Sequence, residues 1–535
     1  MKRVAALVFL LAASVALPTL WNGFVYDDVL LIVDNLRVHG LAGVGGIWQG
    51  SYWPAGGLYR PLTLQLFALE WSVGGGRAGT FHAVNVVLNA AAAVLTFRLL
   101  VRILEPRDPR APDSRVRLAA GLGAALFAVH PVHVEAVANV VGQSELLVAI
   151  CALLSVERYL HWRRSGERGL SRSQRLALAG LTLLGILAKE TGYVIPVLLG
   201  AAELILVRSN TRTRGSVVAP FVWQGSVVVA ALLWRLTVLG SLAGEQPSPA
   251  LQGLGLVERG MAMLAIVPEW ARLLLWPIHL QAEYGPPALA LIPALGPRHI
   301  AGLGLLGLAI VVIWRARRDH PPTAFALLWI LIALAPVANL LVPTGVVLAE
   351  RTLYLASAGV SFGAAALVHS ARPLLRRIAW VGGLGLLAGG VLLTLQRQGV
   401  WQTQEGFFER LVRDGPTTYR AHLVASRYYY GEQRWPDAEA AARRALDLHG
   451  ADPQVHEHLG QVLRVRERCD EALPILDAGL RLDSTRTTLR SRLIECALAQ
   501  GDTGRARSAA EAAVRSGQSE FRGTLDRLTG RPSTR

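Results

Sequence analysis

Residues 379–396 read AWVGGLGLLAGGVLLTLQ, eighteen residues without a charge. A helix of about 20 such residues matches the apolar thickness of a bilayer, so the stretch reads as a membrane span. Arg372, Arg376 and Arg377 precede it, and beyond Trp401 the chain turns polar, charged and alanine-rich. The span is therefore the last of a membrane part and the border to a second part.

Working towards the N-terminus, further apolar stretches lie near 4–20, 81–104, 118–133, 136–159, 174–188, 191–207, 216–240, 299–314, 322–341 and 353–370, about eleven spans in all. The first follows Met1-Lys2-Arg3 with no small-residue cleavage site after it and reads as an uncleaved anchor. Over 535 residues, 52% are apolar and 17% charged, which excludes an ordinary soluble domain. The formal charge of +16 sits in short arginine clusters between spans, so it forms no continuous face for nucleic acid. Those clusters are Arg107, Arg110, Arg115 and Arg117; Arg163, Arg164, Arg168, Arg172 and Arg175; Arg208, Arg212 and Arg214; Arg315, Arg317 and Arg318; and the three before 379. The positive-inside rule puts all of them, and the N-terminus, in the cytoplasm. For that, the stretch 257–277, with Glu269 and Arg272, must lie in the interface or re-enter, and parity then places the C-terminal tail outside.

In the tail, Ala438, Ala472 and Ala506 recur every 34 residues, as do the small residues Ala445, Gly479 and Ala513. This is the tetratricopeptide (TPR) period, in which paired helices pack through small residues and stacked pairs share a core. The turn-of-helix position holds Gly460 in the middle unit but Ser426 and Ile494 in the others. Tyr428, Tyr429 and Tyr430 suit both core and ligand contact. The expected layout is all-α: a multi-span membrane domain over 1–398 with an external loop at 21–80, a linker at 399–418, about three TPR units at 419–520 forming a short α-solenoid, and a tail at 521–535. Cys151, Cys469 and Cys496 have no CxxC spacing, and whether the last two meet is left open.

Ionisable groups at membrane depth are costly and mark function. Asp27 and Asp28 follow the first span in Phe24-Val25-Tyr26-Asp27-Asp28, where a carboxylate can serve as general base to an acceptor hydroxyl, or simply be a solvated loop acid or helix cap. His130-Pro131-Val132-His133-Val134-Glu135 marks an outer turn. Two histidines three apart make a poor metal signature, and hydrogen bonding to a polar ligand or freed backbone suits them better. Asn139, Gln143 and Glu145 carry that polar stripe into the membrane. Lys189 is one of two lysines among 54 basic residues, the other being Lys2, and stands in Ala188-Lys189-Glu190. A compact ammonium there fits either a phosphate or a salt bridge to Glu190 or another helix. Arg351, in Ala349-Glu350-Arg351-Thr352, and Arg60, in Tyr59-Arg60-Pro61, are external arginines able to clamp phosphate; Glu350 is an alternative partner for Arg351.

Together, FVYDD at 24–28, YRPLT at 59–63, FHAVNVVLN at 81–89, HPVHVEAV at 130–137, AKETG at 188–192, ANLLVPTGVVLAERTLYL at 338–355 and the TPR tail resemble the transmembrane and TPR-containing O-mannosyltransferases of the GT-C class. The resemblance implies a polyprenyl-phosphate-linked sugar donor and an inverting transfer to a protein or glycan hydroxyl. Asp27 would be the general base with Asp28 beside it. Lys189, Arg351 and Arg60 would hold the phosphate, and His130, His133, Glu135, Glu190 and Glu350 would line the pocket; no metal set is assigned. The arginine bias suggests a bacterial inner membrane with the tail in the periplasm, where the sugar need not be mannose. A ligase acting on glycans or lipids, a non-enzymatic TPR scaffold and a transporter are the competing readings. The scaffold has no use for Asp27, Asp28 or Lys189.

Overall fold

The computed structural model describes residues 1–54, 56–105, 114–165, 169–207, 214–242, 248–286, 289, 295–340, 344–370 and 372–530. Arg107, Arg110, Arg168, Arg208, Arg212, the side chain of Arg214, and residues 341–343 and 531–535 lie outside the described residues. Among the described residues every regular element is helical. The chain forms two compact units, one of Met1–Leu280 with Ile292–Phe407, the other of Gln281–Leu291 with Phe408–Arg535.

In the first unit all eleven apolar stretches fall on helices, but not all are long enough to span. Seven helices have both the length and the composition to cross a membrane: Lys2–Trp21, Ala78–Leu104, Val140–Ser165, Val218–Leu239, Pro297–Asp319, Glu350–Ser370 and Pro373–Trp401. Ser114–Ala128 with Pro131–Ala138, bent by 47°, makes an eighth if taken as one span. The chain is a multi-pass membrane protein. The expected count of eleven is reduced because Arg172–Ala188 and Ile195–Ile205 are 17 and 11 residues long, about 25 and 16 Å at the helical rise. Pro321–Val337 is likewise a shorter apolar helix. The stretch 257–277 divides into the helices Leu256–Leu264 and Val267–Leu275, nine residues each. Each is about 13 Å long, too short to cross.

The core of this unit is the Ala78–Leu104 helix, packed by Lys2–Ala16, Ser114–Ala128 and Gln143–Ser165, with Tyr354–Ser370 closing on Ser114–Ala128 and on Pro321–Leu334. Its inner surface is small and aromatic: Ala90, Ala92, Ala93 and Phe97 are buried, as are Phe127, Trp329 and Phe362. With lipid as apolar as leucine, such close packing of small residues is what holds membrane helices together. Two glycines set the turns that matter below. A Cβ on Gly142 would overlap the Ala136 backbone, and one on Gly192 would overlap Gly185.

The second unit contains three helical hairpins in register: Tyr419–Gly431 with Trp435–Leu448, Pro453–Val465 with Cys469–Leu482, and Thr487–Ala499 with Thr503–Arg515. Ala438, Ala445, Ala472, Ala506 and Ala513 are fully buried, as expected of small residues where stacked helices meet. Ser426 at the first turn-of-helix position is buried and donates to the Ala438 carbonyl at 2.6 Å. Tyr419, Leu423 and Val455 join the first hairpin to the second, while Leu459, Leu476, Leu489 and Leu493 join the second to the third.

Candidate functional site

The decisive local feature is the backbone at Tyr26, which has a φ of 61°. A non-glycine residue holds that conformation only when its surroundings fix it. Here the Tyr26 N–H donates to the Gln404 side chain at 2.8 Å, and the ring packs against Phe407 at 5.2 Å. The two adjacent aspartates accordingly face different partners.

Asp28 is fully buried. Its Oδ1 accepts from the Val141 N–H at 2.9 Å and its Oδ2 from the N–H groups of Val25 and Val140, both at 3.3 Å. Asp28 thus pins the start of the loop after the first helix to the Val140–Gly142 turn, a turn Asn139 also caps through Val141. Burial pushes the Asp28 carboxyl up to about 7, against the pull of the three N–H donors.

Asp27 instead reaches Arg351, with Oδ2 3.4 Å from Nη1, and both side chains are partly open. Arg351 is held from below by Glu135, which is 1% exposed. Glu135 accepts from the Arg351 backbone N–H and from its guanidinium, both at 2.8 Å. A buried carboxylate gripping backbone and side chain together leaves the arginine little rotational freedom.

Beside this pair stand three more cations. Lys189 ends the Arg172–Ala188 helix in extended backbone and is salt-bridged to Glu145 on the neighbouring helix. Its expected alternative partner, Glu190, is engaged elsewhere: Arg60 binds it at 2.8 Å and Arg235 at 3.2 Å. Burial lowers the Lys189 ammonium below the ordinary lysine range, Glu145 opposes the fall, and Arg60 and Arg351 add to it. Burial alone would raise Glu190, yet Arg60 and Arg235 hold it below its usual value. Tyr52 lies under the Arg60 guanidinium, 4.8 Å from ring centre to Cζ.

The structure therefore gathers Asp27, Glu135, Arg351, Lys189, Arg60 and Glu190, with Glu145, Arg235 and Tyr52, into one polar group. Its cations Arg60, Lys189, Arg235 and Arg351 are matched by the carboxylates Asp27, Glu135, Glu145 and Glu190. The buried members, Glu135 and Glu145, fix the more open ones. The two histidines make other contacts. His130 meets the Leu274 carbonyl at 3.0 Å, and His133 meets the Ser357 hydroxyl at 2.7 Å with its ring against Tyr354 and Phe127. Glu350 is buried, with Arg397 4.0 Å away. Among the described residues no cluster of histidine, cysteine and carboxylate side chains is arranged to hold a metal.

Sequence reading passed over Arg235 and Tyr52, and took Glu145 as part of a stripe and not as the partner of Lys189. Arg235 carried a usable signal, a charge inside the apolar run Val218–Leu239. Tyr52, in a loop of aromatic residues, carried none.

No protein-family model matches the chain. Curated relatives do. Protein O-mannosyl-transferase TMTC4 of Mus musculus is 27% identical over 447 residues, 75% of this chain and 60% of the relative. The relatives this chain matches are named protein O-mannosyl-transferases. Protein O-mannosyl-transferase TMTC3 of Homo sapiens is 24% identical over 523 residues, 86% of this chain and 53% of its own. Protein O-mannosyl-transferase Tmtc1 of Drosophila melanogaster is 31% identical over 346 residues, 59% of this chain and 38% of its own. The chain thus spans 60% or less of the length of these relatives.

Proposed function

We propose that the chain is a membrane glycosyltransferase of the GT-C class that moves a sugar, mannose by its kinship, from a polyprenyl phosphate to a protein hydroxyl outside the cytoplasm. The observation that carries this reading is the Asp27–Arg351 pair at 3.4 Å: a carboxylate able to take a proton lies beside a cation able to hold a departing phosphate. In the transfer, Asp27 accepts the proton of the acceptor hydroxyl as its oxygen attacks the anomeric carbon. The bond from that carbon to the phosphate oxygen breaks, and the charge left on the phosphate falls to Arg351, Lys189 and Arg60. Cations already fixed by Glu135, Glu145 and Glu190 need little reorganisation at that moment, which is what makes such stabilisation effective. Attack opposite the leaving group inverts the anomeric configuration. Asp28 serves the reaction indirectly, by holding the loop that presents Asp27.

The TPR hairpins of the tail suit a polypeptide acceptor, in keeping with relatives named as protein O-mannosyl-transferases. The arginine clusters support an outward-facing site. The test is to supply the purified chain, in lipid, with radiolabelled polyprenyl-phosphate mannose and a mixture of secreted proteins. Label in protein supports the reading; label found only in glycan or lipid moves the acceptor to that class, and donor left intact under all conditions rejects the transfer.

A further inference from the structure

Along the Gln143–Ser165 helix, about 18 Å past Glu145 and towards its other end, a second carboxylate is buried. Glu157 is 2% exposed, and three arginines converge on it. Arg98 and Arg102, from the packed Ala78–Leu104 helix, approach its Oε1 at 3.3 and 3.7 Å, and Arg158 approaches its Oε2 at 3.4 Å. Arg102 also meets Glu105 at 3.2 Å, and Arg164 donates to the Arg102 carbonyl. Among the described residues, four arginines thus stand here against two carboxylates. On the same helix Arg163 shows how a closed pair is built. It grips Glu203 through two hydrogen bonds, at 2.8 and 3.2 Å, and is itself only 5% exposed. Arg98, Arg102 and Arg158 instead remain 39%, 32% and 38% exposed. One carboxylate balances one guanidinium, so like charges are crowded around Glu157 with positive charge in excess.

We propose that Arg98, Arg102 and Arg158 form a headgroup site for an anionic phospholipid, in the leaflet opposite the candidate site. A phosphodiester brings the missing negative charge, and its oxygens accept from guanidinium forks in parallel. Glu157 sets the spacing, because it holds the three side chains from beneath while their outer edges stay open. The location selects a lipid over a soluble anion. Both helices are long and apolar enough to span a membrane, and the arginines lie near the ends of those spans, where long side chains carry their charge out to the headgroups. Trp162, half-buried one turn beyond Arg158, is the kind of residue that settles at that level. The bound lipid would tie together two helices of the core that carries Glu145.

The test uses the full chain in mild detergent, titrated with phosphatidylglycerol or phosphatidylcholine, with bound lipid counted by native mass spectrometry. Phosphatidylglycerol should bind in preference. Arg158→Gln should weaken its binding about 5-fold, and Arg98→Gln with Arg158→Gln about 30-fold. The double variant leaves Arg102 to neutralise Glu157, so helix content by circular dichroism should be parental. Arg315→Gln with Arg317→Gln removes the same charge from another helix end and should leave binding unchanged. Millimolar inorganic phosphate should not displace the lipid. Equal binding of the two lipids, an equal loss in the Arg315 and Arg317 variant, or displacement by inorganic phosphate would overturn the proposal.

Discussion

Replacing Asp28 with asparagine separates the anchoring of the loop after the first helix from chemistry, and does so through pH. Asp28 is fully buried, and burial raises its carboxyl from 3.8 to about 7. A carboxyl raised by folding contributes stability that is whole below its unfolded value and is lost as pH climbs through the folded one. Between pH 5 and pH 8 the loss from this one group is about 3 kcal/mol. Asparagine has no such titration. It has one acceptor oxygen where Asp28 has two, however, so either the Val141 N–H or those of Val25 and Val140 lose their partner, at about 1–3 kcal/mol each. Asp28→Asn should therefore be less stable than the parent at pH 5 and should close that gap by about 3 kcal/mol at pH 8. Equilibrium unfolding in mixed micelles, followed by tryptophan fluorescence at both pH values, reads the difference. A gap that stays constant from pH 5 to pH 8 would show that Asp28 does not titrate as a buried anchor.

Lys189→Ala should lower both donor affinity and stability, because it strands the buried Glu145 carboxylate, at about 3 kcal/mol or more. Adding Glu145→Gln should restore stability but not donor affinity, read by unfolding and by binding of polyprenyl phosphate; recovery of both would leave Lys189 a purely structural cation. Glu70, buried on Pro61–Gly74 and pushed up to about 8 by that burial, loses its stabilising neutral form as pH rises through 8. Glu70→Gln keeps the contact with Gln143 and should flatten the fall in unfolding midpoint between pH 6 and pH 9. In the tail, a side chain at Gly479 would collide with His456 and Leu489. Gly479→Leu should lower the tail's unfolding midpoint by the equivalent of about 2 kcal/mol or more, measured by circular dichroism.

The helical character of every apolar stretch was legible from hydropathy, and the TPR register from a spacing of 34 that places the small residues where stacked helices touch. The number of spans was not, because hydropathy weighs composition while crossing depends on unbroken length. Extended backbone at Lys189 ends one helix early, and the chain resumes as an 11-residue helix. The neighbours Asp27 and Asp28 look alike in sequence, yet one is partly open and the other fully buried, a divergence set by the φ of Tyr26 that no pattern announces. Pairing was the least legible property. Lys189 could be seen as unusual, but its partner lies 44 residues away in the chain, and Arg351 passes over adjacent Glu350 for Glu135.

The central claim is that Asp27 takes the proton of the acceptor. Asp27→Asn keeps the size of the side chain and gives up a partly exposed ion pair to Arg351, worth about 1 kcal/mol or less to stability. The direct measurement is the initial rate of sugar transfer from polyprenyl-phosphate mannose to protein by parent and variant at equal folded amounts. The account predicts a fall of about 10²–10⁴-fold with donor binding retained; a variant that transfers at the parental rate would contradict it.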